Sequence, residues 1–193
     1  ASGIRPDIFP EILDSDAIVG TITPEASLET GLPEHVRVIC GGVDNSCMAL
    51  GSKGIKPSRI YTSLGSSAWI ALVSKNPVLD FDKKPYVFAH VIKGMYASAT
   101  CIFSAGSSLQ WVRNTICPDL LSAEKQGGED AYIAMNKLAE TSAPGANGLL
   151  FNPSLAGGSS IEPSPDMTGA FTGLRLGNTR ADLIRATMEG IAL

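Results

Sequence analysis

Histidine is nearly absent: His35 and His90 are the only two in the chain. The four cysteines, Cys40, Cys47, Cys101 and Cys117, include no C-x-x-C pair. Ligands at zinc spacing are therefore missing, and no metal residue is assigned. Each cysteine lies in an apolar neighbourhood, which reads as four reduced, buried thiols. Charge is scarce too, at 18% of residues against about 25% in an ordinary globular domain. A chain so poor in charge is closely packed, or hides surface against something else. The net charge of −4 and singly scattered Lys and Arg give no basic field, so no nucleic acid partner is expected. No apolar run approaches the ~20 residues of a membrane helix, so no membrane partner is expected either. The start, Ala1-Ser2-Gly3, lacks the basic-then-apolar pattern of a signal peptide. A cytoplasmic protein is the expectation.

What is present is a chain of 193 residues, 44% of them apolar, long enough to bury a real core. Thr23 is placed to cap a short helix, with Pro24 at its first position and Gly31 and Pro33 to stop it. Val36 to Cys40 is a β-rich run of mostly apolar side chains, as in a buried strand. Gly41-Gly42 then turns the chain into a helix from Asn45 to Leu50. Lys56-Pro57-Ser58 reads as a connection, which divides the chain into 1–57 and 58–193. Beyond it, Ile60–Ser63 and Trp69–Val73 flank a small-residue turn of hairpin length. Tyr86–Ile92 and Met95–Phe103 make two more strands, joined at Lys93-Gly94. Helices follow at Leu109, Val112 and Ile116, and at Ala131, Met135 and Leu138, by their spacing. Gly148–Phe151 and Gly169–Leu174 are short strands around a Gly-, Ser- and Pro-rich loop over 153–168. Thr179, with Asp182 three residues on, opens a last helix as a capping box. That helix is still in pattern at Leu193, which suggests a fragment. Hairpin strands followed by helices give an α/β class.

Three segments could carry chemistry. In Gly41-Gly42-Val43-Asp44-Asn45 an acid follows a strand and a glycine turn, at a sheet edge where α/β proteins bind ligands. Asp44 is then either a helix cap or a general base for a substrate hydroxyl. Leu64-Gly65-Ser66-Ser67 clusters backbone N–H groups and hydroxyls, which could cradle phosphate, though an ordinary hairpin turn has the same composition. Ala105-Gly106-Ser107-Ser108 opens a helix after a strand, and helix N-termini favour anions; a plain strand-to-helix turn is the alternative. Gln110 could hydrogen-bond a nucleotide, whereas Trp111 reads as core.

Taken together these segments resemble the FGGY family of carbohydrate kinases, and within it xylulokinases. Ile18 to Ala26 and Thr30 to Pro33 are similar to the stretch that precedes the family's acidic glycine turn. The Gly41–Asn45 turn carries the residue that the family uses as catalytic base, so the resemblance implies that role for Asp44. Ser63-Leu64-Gly65-Ser66-Ser67 is similar to the family's SLGTS loop, with Ser66 for threonine. It implies that Gly65, Ser66 and Ser67 hold ATP phosphates. Ala105 to Trp111 resembles a nucleotide-site segment and implies Gly106 and Gln110 as contacts. Gly169 to Glu189 fits the C-terminal signature. The implied fold is an RNase-H-like, actin-like ATPase lobe with a mixed sheet and flanking helices. In this reading 1–57 is the end of the first lobe, and 58–193 is most of the nucleotide-binding second lobe. The implied partners are ATP with Mg2+ and a small sugar, D-xylulose first, with ribulose, gluconate or glycerol as alternatives. A non-catalytic sugar- or nucleotide-binding regulator is the rival. The family's Glu-Arg pair is missing from 155–163, and Thr168 replaces an arginine. The Mg2+-binding aspartate and the adenosine segment lie outside the chain, so by itself it is expected to be inactive. Its strand over Val36–Cys40 is expected to lack sheet neighbours and to promote self-association, compatible with a homodimer.

Overall fold

The computed structural model describes residues 5–159, 162 and 164–193. The chain divides into two compact units. One takes in the described residues up to Ile60 with Leu72–Val78 and Val87–Ser98; the other comprises Tyr61–Ala71, Leu79–Tyr86 and Ala99–Leu193.

After a short 3-10 turn (Pro6–Ile8) the first unit holds β1 (Ile18–Thr21), α1 (Pro24–Thr30), β2 (Arg37–Ile39) and α2 (Asp44–Gly51). The α1 ends follow from local chemistry. Thr23 Oγ1 accepts the Ala26 N–H, Pro24 fills the first turn, and Gly31 takes a left-handed φ of 74° that ends the helix. Strand β2 pairs antiparallel with β1, Ile18 opposite Ile39 and Thr21 opposite Arg37. The expectation of a buried strand without neighbours is therefore corrected on both counts: β2 has β1 beside it, and its three residues are exposed. A two-stranded ladder has no third layer over its apolar side chains. Exposure of Cys40 and Cys47 likewise corrects the reading of four buried thiols; only Cys101 and Cys117 are buried.

Four strands, β3 (Arg59–Leu64), β4 (Ala68–Ser74), β5 (Tyr86–Ala89) and β6 (Tyr96–Ile102), form one sheet in the order β3-β4-β6-β5. The connection from β5 to β6 is tightened by Met95 C=O accepting from His90 N–H.

The second unit is mainly helical: α3 (Gly106–Thr115), α4 (Pro118–Lys125), α5 (Ala131–Glu140) and α6 (Arg180–Ala192), with a short antiparallel pair β7 (Leu150–Asn152) and β8 (Ala170–Thr172). Helix α6 serves two clusters with two faces. Ile184 joins Val112, Cys117, Met135 and Ala139, with Met188 packed against them. Ala186 and Leu183 join Ala146, Leu149, Phe151 and Phe171. Each fully buried aliphatic side chain of this kind contributes about 1.5–3 kcal/mol. Gly190 lets α6 press on β7, because a Cβ there would come within 3.0 Å of the Phe151 carbonyl carbon.

The start of α6 is tied down by charge. The buried Asp182 carboxylate accepts from Ser142 Oγ at 2.6 Å, Thr179 N at 2.7 Å and Asn147 Nδ2 at 2.8 Å. These donors, the Ser142 hydroxyl foremost, hold the acid well below the usual carboxylate range. One turn on, the Arg185 guanidinium donates to Glu189 and to the carbonyls of Ala139, in the last turn of α5, and Ser142, just beyond it.

Candidate functional site

Asp44 is the first residue of α2, not its cap. The cap position is Val43, which has no side chain to bond the helix end. The carboxylate of Asp44 is exposed; its Oδ1 accepts from Asn45 N at 2.8 Å and from Asn45 Nδ2 at 3.3 Å. A negative charge in the first helical turn is favourable against the macrodipole. The capping role considered for this acid therefore does not describe its place in the fold. Ser46, fully buried two residues on, anchors the helix by donating to the Ala89 carbonyl at 2.6 Å.

The glycines ahead of Asp44 have separate reasons. Gly41 has φ 79°, which a side chain would resist. Gly42 meets Val91, whose Cγ1 would lie 2.5 Å from an added Cβ. Gly42 and Val43 border a cavity of about 510 Å3, with Asp14, His90, Lys93 and Tyr96 also in its wall. Lys93 pairs with Asp14 at 2.7 Å. His90 is buried; its Nδ1 accepts from Ile92 N at 2.9 Å, and burial pushes the imidazole below its ordinary pKa against a smaller opposing pull from the Gly54 carbonyl.

In the second unit Gly65, Ser66, Ser67 and Gly106 come together. The turn between β3 and β4 closes on itself through Gly65 N to Ser67 O at 2.9 Å. It docks on the start of α3: Gly106 N donates to Gly65 O at 2.9 Å, Ala105 N to Ser66 O at 2.8 Å, and Ser107 Oγ to Ser66 O at 2.8 Å. Ser107 N adds a longer bond to Ser66 O, at 3.2 Å. No side chain fits between these backbones, since a Cβ on Gly106 would stand 2.5 Å from the Gly65 oxygen.

This docking alters one expectation. The first N–H groups of α3 point at carbonyls of the turn, so they are not open to an anion. What the motif offers outward is the exposed Ser66 and the half-buried Ser67 hydroxyl. Gln110, also exposed, follows one helical turn after Gly106. The helix is seated from below by Ser108, whose Oγ donates to the Ser104 carbonyl at 2.6 Å. Sequence reasoning placed Ser107 in its segment without a role for its side chain, and gave none to Trp69, whose Nε1 donates to Ser67 Oγ at 3.0 Å. The clue to the second was the i, i+2 spacing, which puts both side chains on one face of an extended hairpin.

Among the described residues no three His, Cys, Asp or Glu side chains are grouped to hold a metal ion. The Glu-Arg departure concerns a loop in which Ser160, Ile161 and Pro163 lie outside the described residues, as do Ala1, Ser2 and Gly3. Glu162, within that loop, accepts from Ser159 Oγ. No described helix is long and apolar enough to cross a membrane.

Residues 60–193 match the model of the FGGY family of carbohydrate kinases, C-terminal domain. The chain belongs to the FGGY family of carbohydrate kinases. A xylulose kinase of Staphylococcus epidermidis is 32% identical over 185 residues, covering 96% of this chain and 35% of that protein. A gluconokinase of Bacillus licheniformis is 29% identical over 191 residues, 98% of this chain and 37% of the relative. The crystal structure of a xylulose kinase from Rhodospirillum rubrum superposes with a TM-score of 0.80 at 29% identity, covering 98% of this chain and 36% of that one. This FGGY chain thus spans about a third of the length of the relatives it matches, and its fold is the RNase-H-like, actin-like ATPase fold of those kinases.

Proposed function

We propose that this FGGY chain works as part of a longer ATP-dependent sugar kinase, with D-xylulose as acceptor. In that enzyme 58–193 is the nucleotide lobe and 1–57 the end of the acceptor lobe; the family match beginning at residue 60 supports the boundary. The observation that carries the reading is the clamped Gly65-Ser66-Ser67 turn. A turn fixed to a helix start by three backbone bonds and the Ser107 hydroxyl presents its own hydroxyls without reorganisation, which is what binding a phosphate chain demands.

Phosphoryl transfer asks little of a protein beyond positioning and charge. The acceptor hydroxyl oxygen bonds to the γ-phosphorus as the bond to the bridging oxygen breaks, and ADP leaves with that electron pair. Asp44 takes the hydroxyl proton; its carboxylate is exposed and therefore accessible to a substrate. Ser66 and Ser67 hold phosphate oxygens, with Gly65 shaping the turn. Gly106 admits the turn to α3, and Gln110 faces the nucleotide. Mg2+ would enter with ATP, and among the described residues no three His, Cys, Asp or Glu side chains are grouped to hold it.

The similarity to a gluconokinase at 29% identity favours gluconate as the second reading of the acceptor. Initial rates of ADP release by the full-length protein with D-xylulose, D-ribulose, D-gluconate and glycerol separate the two. D-Xylulose giving the highest kcat/KM is expected. A preference for gluconate would replace the acceptor, and no turnover with any of them would favour a binding regulator.

A further inference from the structure

We infer that Trp69 is a positioning residue for phosphate binding: its indole N–H fixes the Ser67 hydroxyl so that the hydroxyl proton points outward as a donor. This rests on the nucleotide reading of the Gly65–Ser67 turn.

A serine hydroxyl has one proton to donate and two lone pairs, and it rotates to suit its neighbours, whereas an indole can only donate. With Trp69 Nε1 at 3.0 Å from Ser67 Oγ, one lone pair of Ser67 is occupied and the O–H cannot turn back toward the indole. Phosphate oxygens are acceptors, so a hydroxyl held in the donor orientation is the form that binds them. Accepting one hydrogen bond also strengthens the one it gives. The indole itself is held. Its ring packs against Tyr86, with centroids 5.4 Å apart at 50°, and its place on β4 is set by the hairpin. The Ser67 carbonyl accepts from Gly65, which fixes the serine backbone from the other side. One hydroxyl lone pair and the backbone carbonyl of Ser67 are thus each taken up by a named contact.

The test uses the full-length enzyme and MgATP. Trp69→Phe keeps an aromatic ring against Tyr86 and deletes the donor. It should raise the KM for MgATP about fivefold, the worth of one modest hydrogen bond, with the KM for the sugar unchanged. Ser67→Ala should raise the same constant, and adding Trp69→Phe to it should change nothing more. A merely structural tryptophan would cost as much in the Ser67→Ala background as in the wild type, and that additivity would overturn the inference. If Ser67→Ala alone leaves the MgATP constant unchanged, the nucleotide reading of the turn fails and takes the inference with it. If Ser67→Ala raises it while Trp69→Phe does not, the reading stands and the inference falls. Should Trp69→Phe not fold, the wild-type indole N–H resonance decides. It should shift on titration with MgATP and stay still with adenosine; no shift with MgATP would overturn the inference.

Discussion

Replacing Gly106 with alanine tests whether the phosphate turn must sit on the start of α3. An added Cβ would lie 2.5 Å from the Gly65 carbonyl oxygen and 3.2 Å from its carbon. Both are backbone atoms, so no rotamer change relieves the contact. A carbon and a carbonyl oxygen settle no closer than about 3.3 Å, so turn and helix must separate by roughly 0.8 Å to admit the methyl. That stretches the bond from Gly106 N to Gly65 O, now 2.9 Å, whose loss costs about 1 kcal/mol. Forcing a methyl into a filled contact costs about 1–3 kcal/mol. Against these, alanine improves helix propensity by at most about 1 kcal/mol. The net destabilisation is about 1–3 kcal/mol, or roughly 5 °C in Tm for a chain of this size. Thermal unfolding and MgATP kinetics should show the loss together, because the displaced turn carries Ser66 and Ser67. An alanine variant with unchanged or higher Tm and a normal KM for MgATP would refute the reasoning.

Asp182 predicts an acid limit. Its pKa is depressed in the fold, so its contribution is complete above the unfolded value near 4 and is lost as pH falls toward the folded value. Asp182→Asn should lower Tm at neutral pH and flatten the decline below about pH 4; parallel acid curves for variant and wild type would contradict this. Thiol titration of the native 193-residue chain should find Cys40 and Cys47 reacting quickly and Cys101 and Cys117 only on unfolding, since burial shields the latter pair and raises their pKa. Four equally fast thiols would contradict the burial.

The elements legible in the sequence were those fixed by neighbours in sequence. The Thr23, Pro24 and Gly31 signals bound α1 as expected, and Thr179 with Asp182 opens α6. The spacing of Ala131, Met135 and Leu138 gave α5. Helix α4 was missed because eight residues with Pro118 at the start hold too few turns for a period to appear. Burial was the weak point. Apolar composition made Val36–Cys40 and all four cysteines look interior, but burial depends on what the tertiary fold lays over them, as the exposed β2, Cys40 and Cys47 show. Asp44 was placed correctly next to a helix start but one position off as a cap, because cap and first-turn positions share their preference for acids. The docking of Gly65 and Ser66 on α3 joins segments about 40 residues apart; only the family resemblance brought them together beforehand, and it gave no hint that the turn would occupy the helix N–H groups.

The measurement closest to the centre of this account is kcat for Asp44→Asn in the full-length enzyme. Asparagine preserves the size of the side chain and an oxygen able to accept the Asn45 N–H. It cannot take a proton from an acceptor hydroxyl. Val43, not Asp44, occupies the cap position, so little stability should be lost and Tm should stay near that of wild type. Loss of a general base costs about 10² to 10⁴ in rate, and the fall should appear in kcat with the sugar KM changed far less. If Asp44→Asn turns over within a small factor of wild type at unchanged Tm, Asp44 is not the base and the proposed mechanism is wrong.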